Sequence, residues 1–143
     1  VLPYKQGALK PAKISLFGMR KQAMNLNIID NQLYIELEWY EQLWAFTINK
    51  TFEIPLAHIE RVTDEEPLSN WAELRAPGTF LPGVIKAGTY YTKQGKEFWY
   101  VTNDKNYLTL ELKDEPYKRI IFTLDNHEVW IERINQIKLE REL

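Results

Sequence analysis

The sequence predicts a mainly β domain closed by one C-terminal α-helix, and three observations carry that expectation. Short apolar and aromatic runs recur at the 8 to 12 residue spacing of a sandwich or barrel, eight or nine in all. Turn signals punctuate them, and the aromatic content is 13%, with five Trp, eight Tyr and six Phe. Such residues favour strands because their bulk fits a pleated, half-buried surface. Only the last stretch shows both a helical start signal and helical spacing.

Val1 to Ala12 contains Pro3, Gly7 and Pro11 and reads as an irregular arm or linker, leaving 13–143 as one domain. A short strand is expected from Lys13, ending at Gly18. Met24, Leu26 and Ile28 then alternate with polar neighbours, and Leu33, Ile35, Leu37 and Trp39 do the same beyond Asp30-Asn31. Asp and Asn tolerate the left-handed backbone of a primed turn, so this is a hairpin. A bend at Glu41-Gln42, a strand over Leu43 to Ile48, a turn at Asn49-Lys50 and a return strand Thr51 to Ile54 are expected next. Pro55 ends that strand because it has no N–H for the ladder. Leu56 to His58 reads as a half-turn, Glu60 to Thr63 as extended, and Asp64-Glu65-Glu66-Pro67 as an acidic exit.

The stretch from Arg75 to Val101 organises the rest. Two Pro-Gly pairs, Pro77-Gly78 and Pro82-Gly83, predict tight turns, since Pro presets φ and Gly accepts positive φ. A hairpin follows, with Val84 to Thr92 and Lys96 to Thr102 joined at Gln94-Gly95. Strands Tyr107 to Leu112 and Arg119 to Thr123 flank Asp114-Glu115-Pro116. Asp125 at the N-cap and Glu128 three residues later form a capping box. Val129, Trp130, Arg133, Ile134 and Ile137 share one helical face, so this helix is expected to cover the sheet with Trp130 as its largest buried group.

Composition narrows the function classes. With no cysteine, a disulfide scaffold, a thiol nucleophile and Cys-ligated metals are excluded. Residues 1 to 29 carry five Lys or Arg and no acid, so against an overall charge of −2 the other 114 residues carry −7. An acidic body argues against nucleic-acid binding. The basic arm reads as solvated, with contact to anionic lipid the less favoured alternative. No run is long and apolar enough to span a bilayer.

Catalytic patterns are missing from the sequence. His58 and His127 have no i, i+4 partner, so a zinc helix is not encoded, and no metal or cofactor is expected. His127 reads as solvent-facing. Glu36 and Glu38, and Asp64 to Glu66, read as solvated acids, because paired carboxylates serve acid–base chemistry only in a cleft that shifts their pKa values. Gly78, Gly83 and Gly88 flank prolines and strands and do not form a phosphate loop. Arg75 is the singled-out side chain, either holding the Pro-Gly corner or meeting an anion with its planar fork. Trp71 is either a partner anchor or core beneath its loop. Trp39, Trp44 and Trp99 read as core or interstrand packing.

Ile54-Pro55-Leu56, Leu74-Arg75-Ala76-Pro77-Gly78-Thr79, Pro82-Gly83, Gly88-Thr89-Tyr90, Phe98-Trp99 and Asp125 leading into the last helix together resemble bacterial pleckstrin-homology-like (PH-like) domains. The resemblance runs from about Lys13 to Ile137. It implies a split barrel of about seven antiparallel strands capped by the helix, no enzymatic activity, and a binding or scaffold role through protein partners or homo-oligomers. It does not bring inositol-phosphate binding, because Arg20 and Lys21 are too few cations for that pocket. An apolar-ligand carrier is the alternative, and a membrane-surface domain the third. The expected location is the cytoplasm, or the cytoplasmic face of a membrane if an anchor precedes Val1.

Overall fold

Two residues with positive φ, Asp30 at 53° and Asn31 at 64°, fold the chain back on itself and start the first sheet. The computed structural model describes residues 24–45, 47, 50–66, 74–81, 85–103 and 105–142. Among them the order is β1 (Asn25–Ile29), β2 (Gln32–Glu36), α1 (Trp39–Ala45), β3 (Thr51–Pro55), a 3-10 turn (Leu56–His58) and β4 (Ile59–Thr63). Then come β5 (Leu74–Leu81), β6 (Ile85–Thr92), β7 (Gly95–Thr102), β8 (Tyr107–Leu112), β9 (Arg119–Thr123) and α2 (His127–Glu142). The protein is mainly β with a C-terminal helix.

The strands form two sheets, a three-stranded one in the order β1-β2-β3 and a six-stranded one in the order β4-β8-β9-β7-β6-β5. Among the described residues there is no closed barrel, and the expectation of about seven strands, all antiparallel, is corrected to nine described strands with one parallel pair. The reason is β9, which antiparallel β8 delivers alongside β7 in parallel, with Phe98 opposite Ile120 and Tyr100 opposite Phe122. That pairing fuses the β5-β6-β7 meander to the β4-β8-β9 group. The expected strand at residues 13–17 and the Pro82-Gly83 turn lie outside the described residues.

The two sheets pack through one apolar core. Leu33, Ile35 and Ile54 on the small sheet meet Phe98, Leu110 and Phe122 on the large one, and Ile134 of α2 joins them. Phe52 and Phe98 have ring centroids 4.9 Å apart, and Tyr117 packs edge-on against both. The passage between sheets runs through the 3-10 turn, fixed by Leu56 N–H to Asn31 O at 2.9 Å and Lys113 N–H to His58 O at 2.9 Å. Helix α2 lies against β4, β8 and this turn, and Lys138 Nζ donates to the Ile59 carbonyl.

Three local expectations change. Trp39–Ala45 is helical, so the strand expected over Leu43 to Ile48 does not form there, and β3 pairs with β2 instead. Pro77-Gly78 lies inside β5 and does not make a turn: Gly78 pairs with Gly88, and the register shift falls at Ala76-Pro77, between Arg75 and Gly78. Asp125 is not the N-cap expected of it, because α2 starts at His127 and the Asn126 carbonyl accepts the first helical bond, from Trp130 N–H at 3.4 Å, which leaves Glu128 at the second helical position instead of the third.

The turn at Asp30-Asn31 is the most exacting local geometry. Asn31→Gly keeps the backbone carbonyl that binds Leu56 and removes the cost of positive φ, so stability is expected to rise by about 0.5 kcal/mol. Asn31→Val should lower it by about 1–2 kcal/mol. Urea unfolding midpoints with unchanged slopes check both.

Candidate functional site

Helix α1 follows a pattern that overlaps the strand before it. Leu37, Tyr40, Glu41, Trp44 and Ala45 fall at helical spacing and face inward, with Glu41 at 0% exposure. Glu41 Oε1 accepts the Glu38 N–H at 2.8 Å, and the Glu38 carbonyl receives Gln42 N–H at 3.0 Å. Glu41 thus fills the N3 role of a capping box, satisfying a donor that the helix leaves open. The opposite face carries Trp39 and Leu43, one turn apart and 69% and 63% exposed. Trp39 meets Tyr40 edge-on at 5.7 Å. Core packing for Trp39 is therefore corrected, because the helix turns position 39 outward. Trp44 packs against the main core and Trp99 is buried.

A second set lies on the face of the six-stranded sheet away from the main core. Tyr90, Trp99, Val101 and Ile121 form a smaller buried cluster there. Gly88 stands opposite Trp99 and has no side chain, so the indole takes Lys86 and Tyr90 as its neighbours on β6. The Lys86 ammonium sits 3.6 Å from the Trp99 ring centroid and 4.4 Å from that of Tyr90. Glu97, 3% exposed, accepts from Trp99 Nε1 at 3.0 Å and from Arg119 Nε at 2.8 Å. Both carboxylate oxygens are thereby engaged, one within β7 and the other across to Arg119 of the neighbouring β9. Arg61 and Glu111 extend the row at 3.6 Å, but they are exposed and add little.

His58 and Glu115, 57 residues apart in sequence, meet at the passage between sheets, where His58 Nδ1 donates to Glu115 Oε2 at 2.6 Å. Neither was paired on the sequence. His127, read as solvent-facing, has its Nδ1 buried with no hydrogen-bond partner among the described residues. Among the described residues no group of three or more His, Asp or Glu could hold a metal ion, and no helix is long and apolar enough to cross a membrane.

The singled-out residues are scattered. Trp71 lies outside the described residues, and Arg75 sits in β5 opposite Tyr90, its side chain likewise outside them. Asp125 and Glu128 are exposed at the start of α2, and Trp130 is half-buried with Arg133 5.1 Å from its ring. Ile134 is buried in the main core. They do not form a common site.

Burial raises the Tyr100 phenol far above its ordinary value, and the nearby Glu41 carboxylate and Tyr40 push the same way. Tyr107 is raised more modestly, again by burial first and then by the charge of Glu66 and their hydrogen bond. A raised phenol favours folding only while the unfolded tyrosine is still protonated. Stability is therefore full below pH 10.0, the ordinary tyrosine value, and falls above it by up to about 1.4 kcal/mol per pH unit for Tyr100. Tyr100→Phe should flatten that alkaline loss in a pH series of unfolding curves.

Glu97→Ala removes the acceptor for both Trp99 and Arg119 and should cost about 3–4 kcal/mol, read as a lowered urea midpoint. Glu97→Gln retains one acceptor oxygen and should cost less. Comparison of the chain with protein-family models, curated proteins and solved structures finds no match in any of the three, so the functional reading rests on the geometry of these groups.

Proposed function

We propose that the chain is a non-catalytic, PH-like interaction module that works by docking a protein partner or a further copy of itself. The observation that carries this reading is the pair Trp39 and Leu43, side by side and exposed on one face of α1. Trp is enriched at the energetic centres of interfaces because it offers a large, stiff apolar surface with a polar edge. The ionisable groups that would otherwise suggest chemistry are engaged with one another. Glu97 serves Arg119 and Trp99, Lys86 lies over aromatic rings, and His58 holds Glu115.

The PH-like assignment is supported by two packed sheets with a C-terminal helix against one of them. The parallel pairing of β7 with β9 departs from a simple antiparallel split barrel. Ring packing among Phe52, Phe98 and Tyr117 between the sheets weighs against the carrier reading, which needs that space for a ligand.

Affinity capture with the tagged chain tests this, with the double variant Trp39→Ala, Leu43→Ser as control. Both side chains are exposed, so the unfolding midpoint should stay within about 0.5 kcal/mol of wild type. Partners held by the wild type should be lost from the variant by about tenfold or more. Retention of the same partners by a folded double variant would contradict the reading.

A further inference from the structure

Among the described residues, the four edge strands of the two sheets differ in how they are protected. An edge exposes unpaired N–H and C=O groups, and natural sheets blunt it with charge, proline or bulges. β3 carries Glu53 and ends at Pro55, and β5 contains Pro77 at a register shift. β4 has Glu60, Arg61 and a register shift, and Lys138 occupies its Ile59 carbonyl. β1 reads Asn-Leu-Asn-Ile-Ile, without charge or proline, and pairs with β2 in unbroken register.

The direction of its free groups follows from one bond. Leu37 N–H donates to Lys50 O at 2.8 Å, across the end of the β2/β3 ladder. Because N–H and C=O of one residue point to the same side and alternate along a strand, Leu33 and Ile35 face β3, while Gln32, Tyr34 and Glu36 face β1. The partners Asn25, Asn27 and Ile29 then bond inward to β2. The two-residue turn at Asp30-Asn31 agrees, since such hairpins close on a hydrogen-bonded pair. What points outward is the backbone of Leu26 and Ile28, whose side chains are half-buried at the margin of the main core.

We propose that the outer edge of β1 pairs antiparallel with β1 of a second copy of this chain, on a two-fold axis at Asn27. The inference rests on the reading of the chain as an interaction module and specifies its surface. On that axis Leu26 stands opposite Ile28 of the second copy and the reverse, so every outward N–H and C=O of the two residues finds a partner. The half-buried Leu26 and Ile28 side chains extend the apolar row across the joint, and the exposed face carries Asn25, Asn27 and Ile29 with no like charges opposed. A second copy fits better than a foreign peptide because its strand is already ordered and has the required alternation. A five-residue edge buries much less than the roughly 1,600 Å² of a stable complex, so the dimer is weak and concentration-dependent.

Sedimentation equilibrium of the full chain across the micromolar to millimolar range tests it, with Asn27→Lys, Asn27→Asp and their equimolar mixture. Asn27 is exposed, so both variants should melt as the wild type does. The wild type should show a monomer–dimer equilibrium, each variant should dimerise about tenfold or more weakly because like charges face each other on the axis, and the mixture should recover the dimer. A wild type that stays monomeric, or a dimer indifferent to both substitutions, overturns the proposal. Neither result touches the Trp39 and Leu43 capture experiment, on which the module reading itself stands or falls.

Discussion

Everything in this fold depends on one strand having no solvent face. From Glu97 to Val101 every residue of β7 is buried, with Phe98 and Tyr100 in the main core and Trp99 and Val101 in the second cluster. A strand covered on both sides tolerates polar groups only when they are satisfied, because an unpaired buried charge is costly. That constraint accounts for Glu97 being held by both Trp99 and Arg119, and for Lys86 lying against rings.

The same constraint distributes the surface. β7, covered on both faces, offers no surface, whereas α1 presents large apolar side chains to solvent. α1 exists because Glu41 can cap it from inside while Leu37, Tyr40 and Trp44 anchor it. Its outer face is then free to present Trp39 and Leu43. Packing and solvent exposure are thus divided between opposite faces of the same short helix, and the exposed face is the one proposed for docking.

Local structure was legible in the sequence where a turn residue and a period agreed. Asp30-Asn31 and the strands around Asp114 to Pro116 fall where the residues place them, while the C-terminal helix starts one residue late, at His127, and the β6–β7 turn comes one residue early, at Lys93-Gln94, with Gly95 opening β7. Gly95, at φ 137°, shows why, since few other residues adopt that backbone and a Cβ there would lie 2.6 Å from Lys118 Cγ. Sequence reasoning failed at Leu37, which belongs to two periods at once. It ends the alternation Leu33, Ile35, Leu37 and begins the helical series to Ala45, and the alternation masked Glu41 as an N3 cap. The parallel pairing of β7 with β9 and the meeting of His58 with Glu115 left no local trace, because both depend on chain segments that come together only after the sheets form. Of the residues singled out for function, Ile134 lies in the main core and Asp125 and Glu128 are exposed, while Trp39, read as core, is exposed as well.

The central claim is that β7, bonded to β6 on one side and in parallel to β9 on the other, is the last part of the chain to open. Native-state amide hydrogen exchange measures this directly. The account requires the amides of Phe98 to Val101 and Ile120 to Phe122 that lie in the ladder to exchange only through global unfolding, with a denaturant dependence matching that of the whole protein. Exchange of those amides by local opening, as fast as in the edge strand β1, would contradict it.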